Sequence, residues 1–597
     1  MSLRRLLLTS PLSTLLFARR GLFLKLILLL PLLLFFILIT TNKLPNLDPP
    51  PHQNHPHNEP LIQQHNNNEL GLGESNNEKE LNVLAPPGDN PGENGKPYKP
   101  TNLTEAQKKL VGEGWKNNAF NQFVSDLISV KRNLPDPRDQ WCKDQDYYTS
   151  TETPKLSPTS VIICFHNEAW SVLLRSVHSV LDRSPPSLIT EVILVDDFSD
   201  MPHLAAPLEN YFKAFPKVKI VRAGKREGLI RARLLGADAA TGPILTFLDS
   251  HIEATTGWLE PLLSRITTNP TTVVCPVIDV IDDDTLEYHY SDSKGTSVGG
   301  FDWNLQFTWH AIPEVERKRR RNSAEPVNSP TMAGGLFSID SAFFTKLGKY
   351  DDGFDIWGGE NLEISFKTWM CGGTLEIIPC SHVGHIFRKR SPYKWRSGVN
   401  VLRRNSVRLA EVWMDEYKEY YYQRIGHDLG QYGDISSRKS LRKNLGCKSF
   451  RWFLDTIYPE LFIPGEAVAH GEIRNLGLGG STCLDSPATK KQMNKPVGLY
   501  PCHGQGGNQY WSYSKTGEIR RDEMCVDYAG TDVMIYPCHG SLGNQQWIFE
   551  EDTHHVRHGP SRKCLAIKTK EKLVMETCDE NEDRHKWKFE NYDKSKL

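Results

Sequence analysis

Apolar residues fill positions 21–40, GLFLKLILLLPLLLFFILIT, with Lys25 as the single charge. A helix of that length crosses the ~30 Å hydrocarbon core of a bilayer. Arg4, Arg5, Arg19 and Arg20 precede the run. The positive-inside rule therefore keeps residues 1–20 as a cytosolic tail and puts everything after residue 40 on the lumenal side. A cleaved signal peptide is the rival reading, disfavoured because the run outlasts a signal core and no clear small-x-small site follows it. From 41 to about 100, Asn, Pro, Glu and His dominate. Such a segment buries too little surface to offset chain entropy, so residues 41–111 are expected to form a flexible stem. In this reading the histidines at 52, 55, 57 and 65 are solvated. Asn102-Leu-Thr104 is a glycosylation sequon that suits a lumenal stem.

Beyond residue 157 strand and helix signals alternate. Residues 161–165 and 192–195 are buried-strand runs, followed by the polar groups His166-Asn-Glu168 and Asp196-Asp197. Between them Trp170, Leu173, Leu174, Val177, Val180 and Leu181 recur at helical spacing and make one apolar face. Residues 218–221 read as another strand and 228–240 as a helix closed by Gly242. This order predicts a mostly parallel sheet covered by helices.

The apolar run 242–248 stops abruptly at Asp249-Ser-His251. In open α/β sheets ligands bind beyond the carboxyl ends of the strands. Residues i and i+2 of a strand share a face, so Asp249 and His251 are expected to reach one ion. A carboxylate with an imidazole suits Mn2+ or a similar borderline ion. Neither G-x-G-x-x-G after the first strand nor G-x-x-x-x-G-K-[ST] occurs, so any phosphate must be held by metal and side chains.

Composition adds bounds. A chain of 597 residues exceeds one core and implies two to four domains. The net charge of −1 argues neither for nucleic acid nor for an acidic partner. The basic run 316–321, ERKRRR, reads as a solvated loop. Twelve cysteines, six of them after residue 480, suit an oxidising lumen.

Acidic residues after the second strand with D-S-H after a later one resemble the GT-A fold of nucleotide-sugar glycosyltransferases. Further motifs sharpen the match: Phe165-His-Asn-Glu168, Val195-Asp-Asp197, Arg226-Glu-Gly-Leu229, Gly300-Phe-Asp-Trp303, Ala333-Gly-Gly335, W-G-G-E-N over 357–361 and V-G-H-I-F-R over 383–388. In this order they resemble the polypeptide N-acetylgalactosaminyltransferases, and the likeness covers roughly residues 112–597. It implies an α/β catalytic domain over 112–460, a linker over 461–469, and transfer of GalNAc from UDP-GalNAc to Ser or Thr hydroxyls of proteins or glycopeptides with α configuration retained. It implies a Golgi single-pass membrane protein whose catalytic part is lumenal. Asp249, His251 and His385 would bind Mn2+. Donor binding would fall to Cys164, Asp197, Arg226, Asp249, Ser250, Gly334, Gly335, Trp357, Arg388 and Tyr393. Cys164 is a departure, because many members carry Thr or Val there. Residues 385 to about 398 would form a lid over the donor, with Arg388 pairing to phosphate. Glu360 and Asn361 would bond sugar hydroxyls, with Glu360 a candidate stabiliser of charge at the anomeric carbon. Among Asp249, His251, Glu360, Asn361 and Arg388 no residue is an obvious nucleophile, which favours a front-face route. Phe301, Trp303 and Phe387 would line an acceptor groove, or all three pack as core.

After residue 470 three similar units follow. Cys483-Leu-Asp485 leads to Tyr500-Pro-Cys-His503 and Gly507-Asn-Gln-Tyr-Trp511; Cys525-Val-Asp527 leads to Tyr536-Pro-Cys-His539 and Gly543-Asn-Gln-Gln-Trp547. The third is degraded: Cys564-Leu-Ala566, Cys578 and His585-Lys-Trp587. Three Q-x-W units of this kind resemble a ricin-like all-β β-trefoil lectin over 470–597. Asp485 with Asn508, and Asp527 with Asn544, would bond a GalNAc, with His503 and His539 stacking on it. Ala566 and His585 leave two competent subsites at most. Disulfides are expected within units, joining Cys483 to Cys502, Cys525 to Cys538 and Cys564 to Cys578. The family resemblance adds Cys142 with Cys380 and Cys371 with Cys447, leaving Cys164 and Cys275 free. A catalytically silent membrane-anchored GalNAc-binding lectin is the alternative, against which the complete metal and W-G-G-E-N motifs stand.

Overall fold

The computed structural model describes residues 90–145, 155–390, 400–488, 491 and 493–597. The expected membrane span, the stem up to residue 89, Tyr393 and most of the expected lid lie outside them. No helix among the described residues is long and apolar enough to cross a membrane.

The stem reading fails for residues 90–111. The buried Arg132 guanidinium donates to Gly92 O at 3.1 Å, and Tyr98 N donates to Thr285 O at 3.0 Å, which ties this segment to the body. Thr104 then opens helix α1 (Glu105–Asn118) with a capping box, its hydroxyl accepting from Gln107 N while the Gln107 side chain accepts from Thr104 N. Helix α2 (Gln122–Leu127) follows, capped by Asn121.

The larger sheet begins with β1 (Thr159–Phe165), in which every residue is buried. Ile162 and Cys164 face one hydrophobic cluster, and Val161, Ile163 and Phe165 the other, so the strand is covered on both sides. Helix α3 (Trp170–Asp182) buries Leu173, Leu174, Val177 and Val180 against the second cluster, as its spacing predicts. β2 (Ile189–Asp196) and β3 (Val218–Arg222) add in parallel. Helix α4 (Leu229–Ala239) returns the chain to β4 (Ile244–Asp249), parallel to β1 on its other side. After a bend come β5 (Ile252–Ala254) and β6 (Thr272–Ile281), and then the hairpin of β7 (Ser297–Phe301) and β8 (Phe307–Ala311).

β9 (Phe337–Asp340) inserts antiparallel between β4 and β6, so the sheet is mixed rather than mostly parallel beyond β4. Helix α5 (Glu360–Met370) leads to β10 (Thr374–Ile386), which runs parallel to β6. The order across the main path is β10, β6, β9, β4, β1, β2, β3. The basic run forms part of a short helix, Glu314–Arg319, whose charges pair locally, Glu314 with Arg317 and Glu316 with Arg319.

The C-terminal region folds as three four-strand units. The first holds β11 (Ala469–Asn475), β12 (Thr482–Asp485), β13 (Gly498–Pro501) and β14 (Trp511–Tyr513). The second holds β15 (Ile519–Arg521), β16 (Met524–Tyr528), β17 (Val533–Pro537) and β18 (Trp547–Glu550). The third holds β19 (His555–His558), β20 (Cys564–Thr569), β21 (Lys572–Glu576) and β22 (Trp587–Tyr592). β22 pairs with β11 and closes the domain. Each unit buries one tryptophan whose indole N–H donates to the residue after a half-cystine: Trp511 to Leu484 O, Trp547 to Val526 O and Trp587 to Leu565 O, at 3.0, 2.8 and 2.8 Å.

All five expected disulfides are formed. Cys483–Cys502, Cys525–Cys538 and Cys564–Cys578 each close one C-terminal unit. In the α/β region Cys142 is joined to Cys380, and Cys371, at the end of α5, to Cys447. Cys164 and Cys275 are free and buried.

Candidate functional site

β4 is buried until its last residue, Asp249, whose carboxylate emerges at the sheet's end. The strand stops there. Ser250 and His251 form a bend before β5, so Asp249 and His251 do not share one strand face as the i, i+2 spacing suggests. Pairing with β10 brings His385 alongside, opposite Ile252, and Ile386 N donates to His251 O at 3.1 Å. Ligand atoms of Asp249, His251 and His385 thus lie within 4.8 Å of one another.

His385 Nε2 lies 3.2 Å from Asp249 Oδ2, and the imidazoles of His251 and His385 have centroids 4.7 Å apart. Burial pushes the Asp249 carboxyl up, but the hydrogen bond from His385 and the charge of Arg233 outweigh it and hold it well below the usual carboxylate range. Burial and the Arg388 charge depress His251, favouring a neutral imidazole. One carboxylate and two imidazoles converging at a strand end fit Mn2+ or a similar borderline divalent ion.

Two residues of this site were not assigned roles from the sequence. Arg233, in the middle of α4 and buried, donates to Gly334 O at 2.8 Å and to Gly335 O and Asp249 Oδ1 at 3.2 Å each. A mid-helix arginine gives no local sign that it points into a sheet. Glu168, buried after β1, accepts from Ser250 Oγ at 2.7 Å, His251 Nδ1 at 3.1 Å and Arg388 Nη2 at 2.5 Å. Its one signal was its place among the polar residues that end the first strand. Burial pushes the Glu168 carboxyl up, yet Arg388, His251 and Ser250 hold it down at about 2.

Gly334 and Gly335 cross the floor of the site. Gly334 has φ +104°, and a Cβ there would meet Asn361 Cβ at 2.6 Å; a Cβ on Gly335 would lie 2.4 Å from Asp249 Oδ2. Glu360 opens α5, buried, and accepts from Gly358 N at 2.8 Å. Burial raises its carboxyl, with Arg233 opposing less strongly. Asn361 Nδ2 donates to Met332 O at 3.1 Å. Trp357 is 51% exposed at the start of this loop.

At the β2 end, Asp197 is buried, ion-paired with Arg226, and accepts from Glu227 N and Gly228 N at 2.7 and 2.9 Å. Cys164 pairs with Asp249 across β1 and β4; its thiol is buried, and burial pushes it up to about 12, so it is a packing group beneath the site rather than an ionisable one.

Of the two readings of the aromatics, core packing holds for Phe301 and Trp303 and not for Phe387. Phe301 and Trp303 are core: Phe301 packs on Phe366 and Tyr458, and Trp303 stacks on Tyr417 and donates to Phe462 O at 2.7 Å. On the next strand Phe307 and Trp309 sit edge to face at 4.9 Å, and Trp309 is 49% exposed. Phe387, against His385, is exposed as expected.

In the C-terminal domain Asp485 accepts from Gln509 Nε2 at 3.0 Å and Asp527 from Gln545 Nε2 at 3.1 Å, while each glutamine's Oε1 takes the backbone N–H of His503 or His539 at 3.1 Å. Asn508, Asn544, His503 and His539 are exposed around these carboxylates. The large exposed rings nearby are Tyr500 and Tyr536, 59% and 44% exposed, each opposite the half-cystine two residues before the aspartate. In the sequence they open the repeated Y-P-C-H, three positions before each histidine. In the third unit Glu576 takes the tyrosine's place and its Oε2 lies 3.1 Å from His585 Nε2, beside Ala566, so no free carboxylate corresponds to Asp485.

Family models agree with both halves. That of glycosyl transferase family 2 matches residues 160–344, that of the N-terminal domain of galactosyltransferase residues 318–390, and that of the ricin-type beta-trefoil lectin domain residues 469–587. A GT-A glycosyltransferase carrying a lectin domain is the class that this fold and site define. The chain is 69% identical over 520 residues to the putative polypeptide N-acetylgalactosaminyltransferase 9 of Drosophila melanogaster, covering 86% of this chain and 79% of that one. It is 64% identical over 498 residues to polypeptide N-acetylgalactosaminyltransferase 5 of Caenorhabditis elegans, covering 83% and 79%. A crystal structure of GalNAc-T7 with UDP, GalNAc and Mn2+ matches with TM-score 0.60 at 37% identity, over 85% of this chain and 94% of that one. The chain belongs to the polypeptide N-acetylgalactosaminyltransferase family.

Proposed function

We propose that this protein transfers N-acetylgalactosamine from UDP-GalNAc to Ser or Thr hydroxyls of polypeptides, with the α configuration retained, and so initiates mucin-type O-glycans. The observation that carries the reading is the convergence of Asp249, His251 and His385 beside Arg388 and the Gly334–Gly335 floor. Mn2+ held by those three residues would neutralise the charge that develops on the departing diphosphate. Arg388 pairs with the diphosphate, and its guanidinium is suited to do so bidentately. Asp197 and Arg226 hold the uridine end, Trp357 flanks the diphosphate, and Glu360 and Asn361 bond sugar hydroxyls. The donor phosphate oxygen takes the acceptor's proton on the face it leaves, so no enzyme base is required. Glu360 supports this route, since its carboxylate is buried and engaged by Gly358 N. Phe307, Trp309 and Phe387 offer the apolar face for an extended acceptor. The lectin domain, through Asp485 and Asp527, steers the enzyme to acceptors that already carry GalNAc. The apolar run at 21–40 and the five disulfides support a Golgi membrane anchor with a lumenal body.

The test is transfer from UDP-GalNAc, with UDP-Gal and UDP-GlcNAc in parallel, to a Ser/Thr/Pro-rich peptide by the full-length protein with Mn2+ or EDTA. An α-GalNAc product that vanishes with EDTA and in Asp249→Ala is expected; absence of transfer to naked and GalNAc-bearing peptides overturns the reading. For the route, Glu360→Gln is expected to keep a rate within about tenfold of wild type, and a loss of the roughly 10⁴-fold scale seen for essential catalytic groups would replace it with a covalent mechanism.

A further inference from the structure

Both oxygens of the buried Glu168 carboxylate are engaged, each by a different part of the site. Oε1 accepts from Arg388 Nη2 at 2.5 Å and from Ala169 N at 3.0 Å. Oε2 accepts from Ser250 Oγ at 2.7 Å and from His251 Nδ1 at 3.1 Å. Arg388 is backed on another side by the Phe120 ring, 5.5 Å from its guanidinium carbon to the centroid.

We infer that Glu168 is a positioning residue that couples cation binding to donor binding, favouring the first and competing with the second. The inference rests on the donor and metal roles proposed above. With Nδ1 of His251 donating to Glu168, the ring's lone pair sits on Nε2 and is available to a cation. Glu168 also neutralises Arg388. Removing that carboxylate leaves more of the guanidinium's positive charge facing the cation site, where it repels a divalent ion through a poorly screened interior. Toward a diphosphate the sign reverses, because Glu168 is a rival anion for the same guanidinium. When the diphosphate arrives, Arg388 must divide its donors between the two. Cation and diphosphate therefore help each other less directly than a bare metal site would allow, since Glu168 sets how much of Arg388 is free to respond.

The deciding experiment is titration calorimetry on the full-length protein and its Glu168→Gln variant, with Mn2+ alone, UDP alone, and UDP at saturating Mn2+. The variant is expected to bind Mn2+ some 10- to 100-fold more weakly, the scale for lost ligand-orienting partners. Its affinity for UDP without metal is expected to hold or rise. Loss of both affinities together would mean that Glu168 merely supports the scaffold, and Mn2+ affinity within twofold of wild type would remove its orienting role; either overturns the proposal. If Glu168→Gln lacks a cooperative melt, Glu168→Asp, which keeps the charge but withdraws it by one methylene, carries the same titrations and the same opposed directions. A wild-type protein that binds neither Mn2+ nor UDP would overturn the donor reading itself, and this inference with it.

Discussion

Gly335 shows how little room the site allows. Any side chain there starts 2.4 Å from Asp249 Oδ2, on a backbone that cannot withdraw because Arg233 holds the carbonyls of both Gly334 and Gly335. Gly335→Ala is therefore expected to displace the carboxylate and cut transfer by about 10²-fold, the cost of an ångström-scale misplacement. Overlap on a fixed backbone is also expected to lower stability by about 1–3 kcal/mol, and kinetics with calorimetry on one preparation checks both. Arg233→Met removes one partner of the half-buried Asp249 carboxylate, which keeps His385, and the donor of the Gly334 and Gly335 carbonyls; it is expected to cost about 1–3 kcal/mol of stability, read from denaturant unfolding. Asp249 and His251 were legible because ligand types cluster at a predicted strand end, and His385 and Arg388 only through the likeness of V-G-H-I-F-R to the family's motif. Arg233 and Glu168 were not, since their roles exist only once α4 and the β1 end face the same cleft. Phe301 and Trp303 differ from Phe307 and Trp309 for a similar reason. Both pairs alternate as strand residues do, and only the packing of Tyr417, Phe450 and Tyr458 decides which pair becomes core.

Among the elements, the three C-terminal units were the most legible part of the chain, because a repeat displays its own register. Each reuses one tryptophan hydrogen bond and one disulfide, and the third departs at three matched positions, Ala566, Glu576 and His585. Asp485→Ala and Asp527→Ala are each expected to remove about one equivalent of GalNAc binding in titration calorimetry, and the double variant all of it. An unchanged stoichiometry in either single variant would remove that unit as a subsite. Trp547→Ala is expected to destabilise the domain by about 3–5 kcal/mol, as for other buried large aromatics, and differential scanning calorimetry would report it. In the sheet, the antiparallel β9 escaped the sequence because alternating strand and helix signals say nothing about strand direction when the connection is long and irregular.

For the whole molecule, the boundary of the folded body was the reading most in error. Residues 90–111 look like stem by composition, yet Gly92, Gly95 and Tyr98 are packed onto the body. Composition averages over a window and misses single backbone contacts. The disulfide between Cys142 and Cys380 spans 238 positions and ties the region before β1 to β10, five residues ahead of His385. Replacing both cysteines by serine is expected to lower stability by up to about 5 kcal/mol, through the chain entropy of so long a loop. A shift in chemical unfolding midpoint would measure it.

That His385 lies 136 positions after Asp249 has a consequence for biosynthesis. A growing chain presents the first two ligands, then needs roughly seven to thirty seconds at ordinary translation rates before the third emerges. Even then β10 must find its place beside β6 and β5 before the three converge. A nascent or truncated chain is thus inert toward nucleotide sugar, and activity becomes a timer that starts only when the whole sheet has closed.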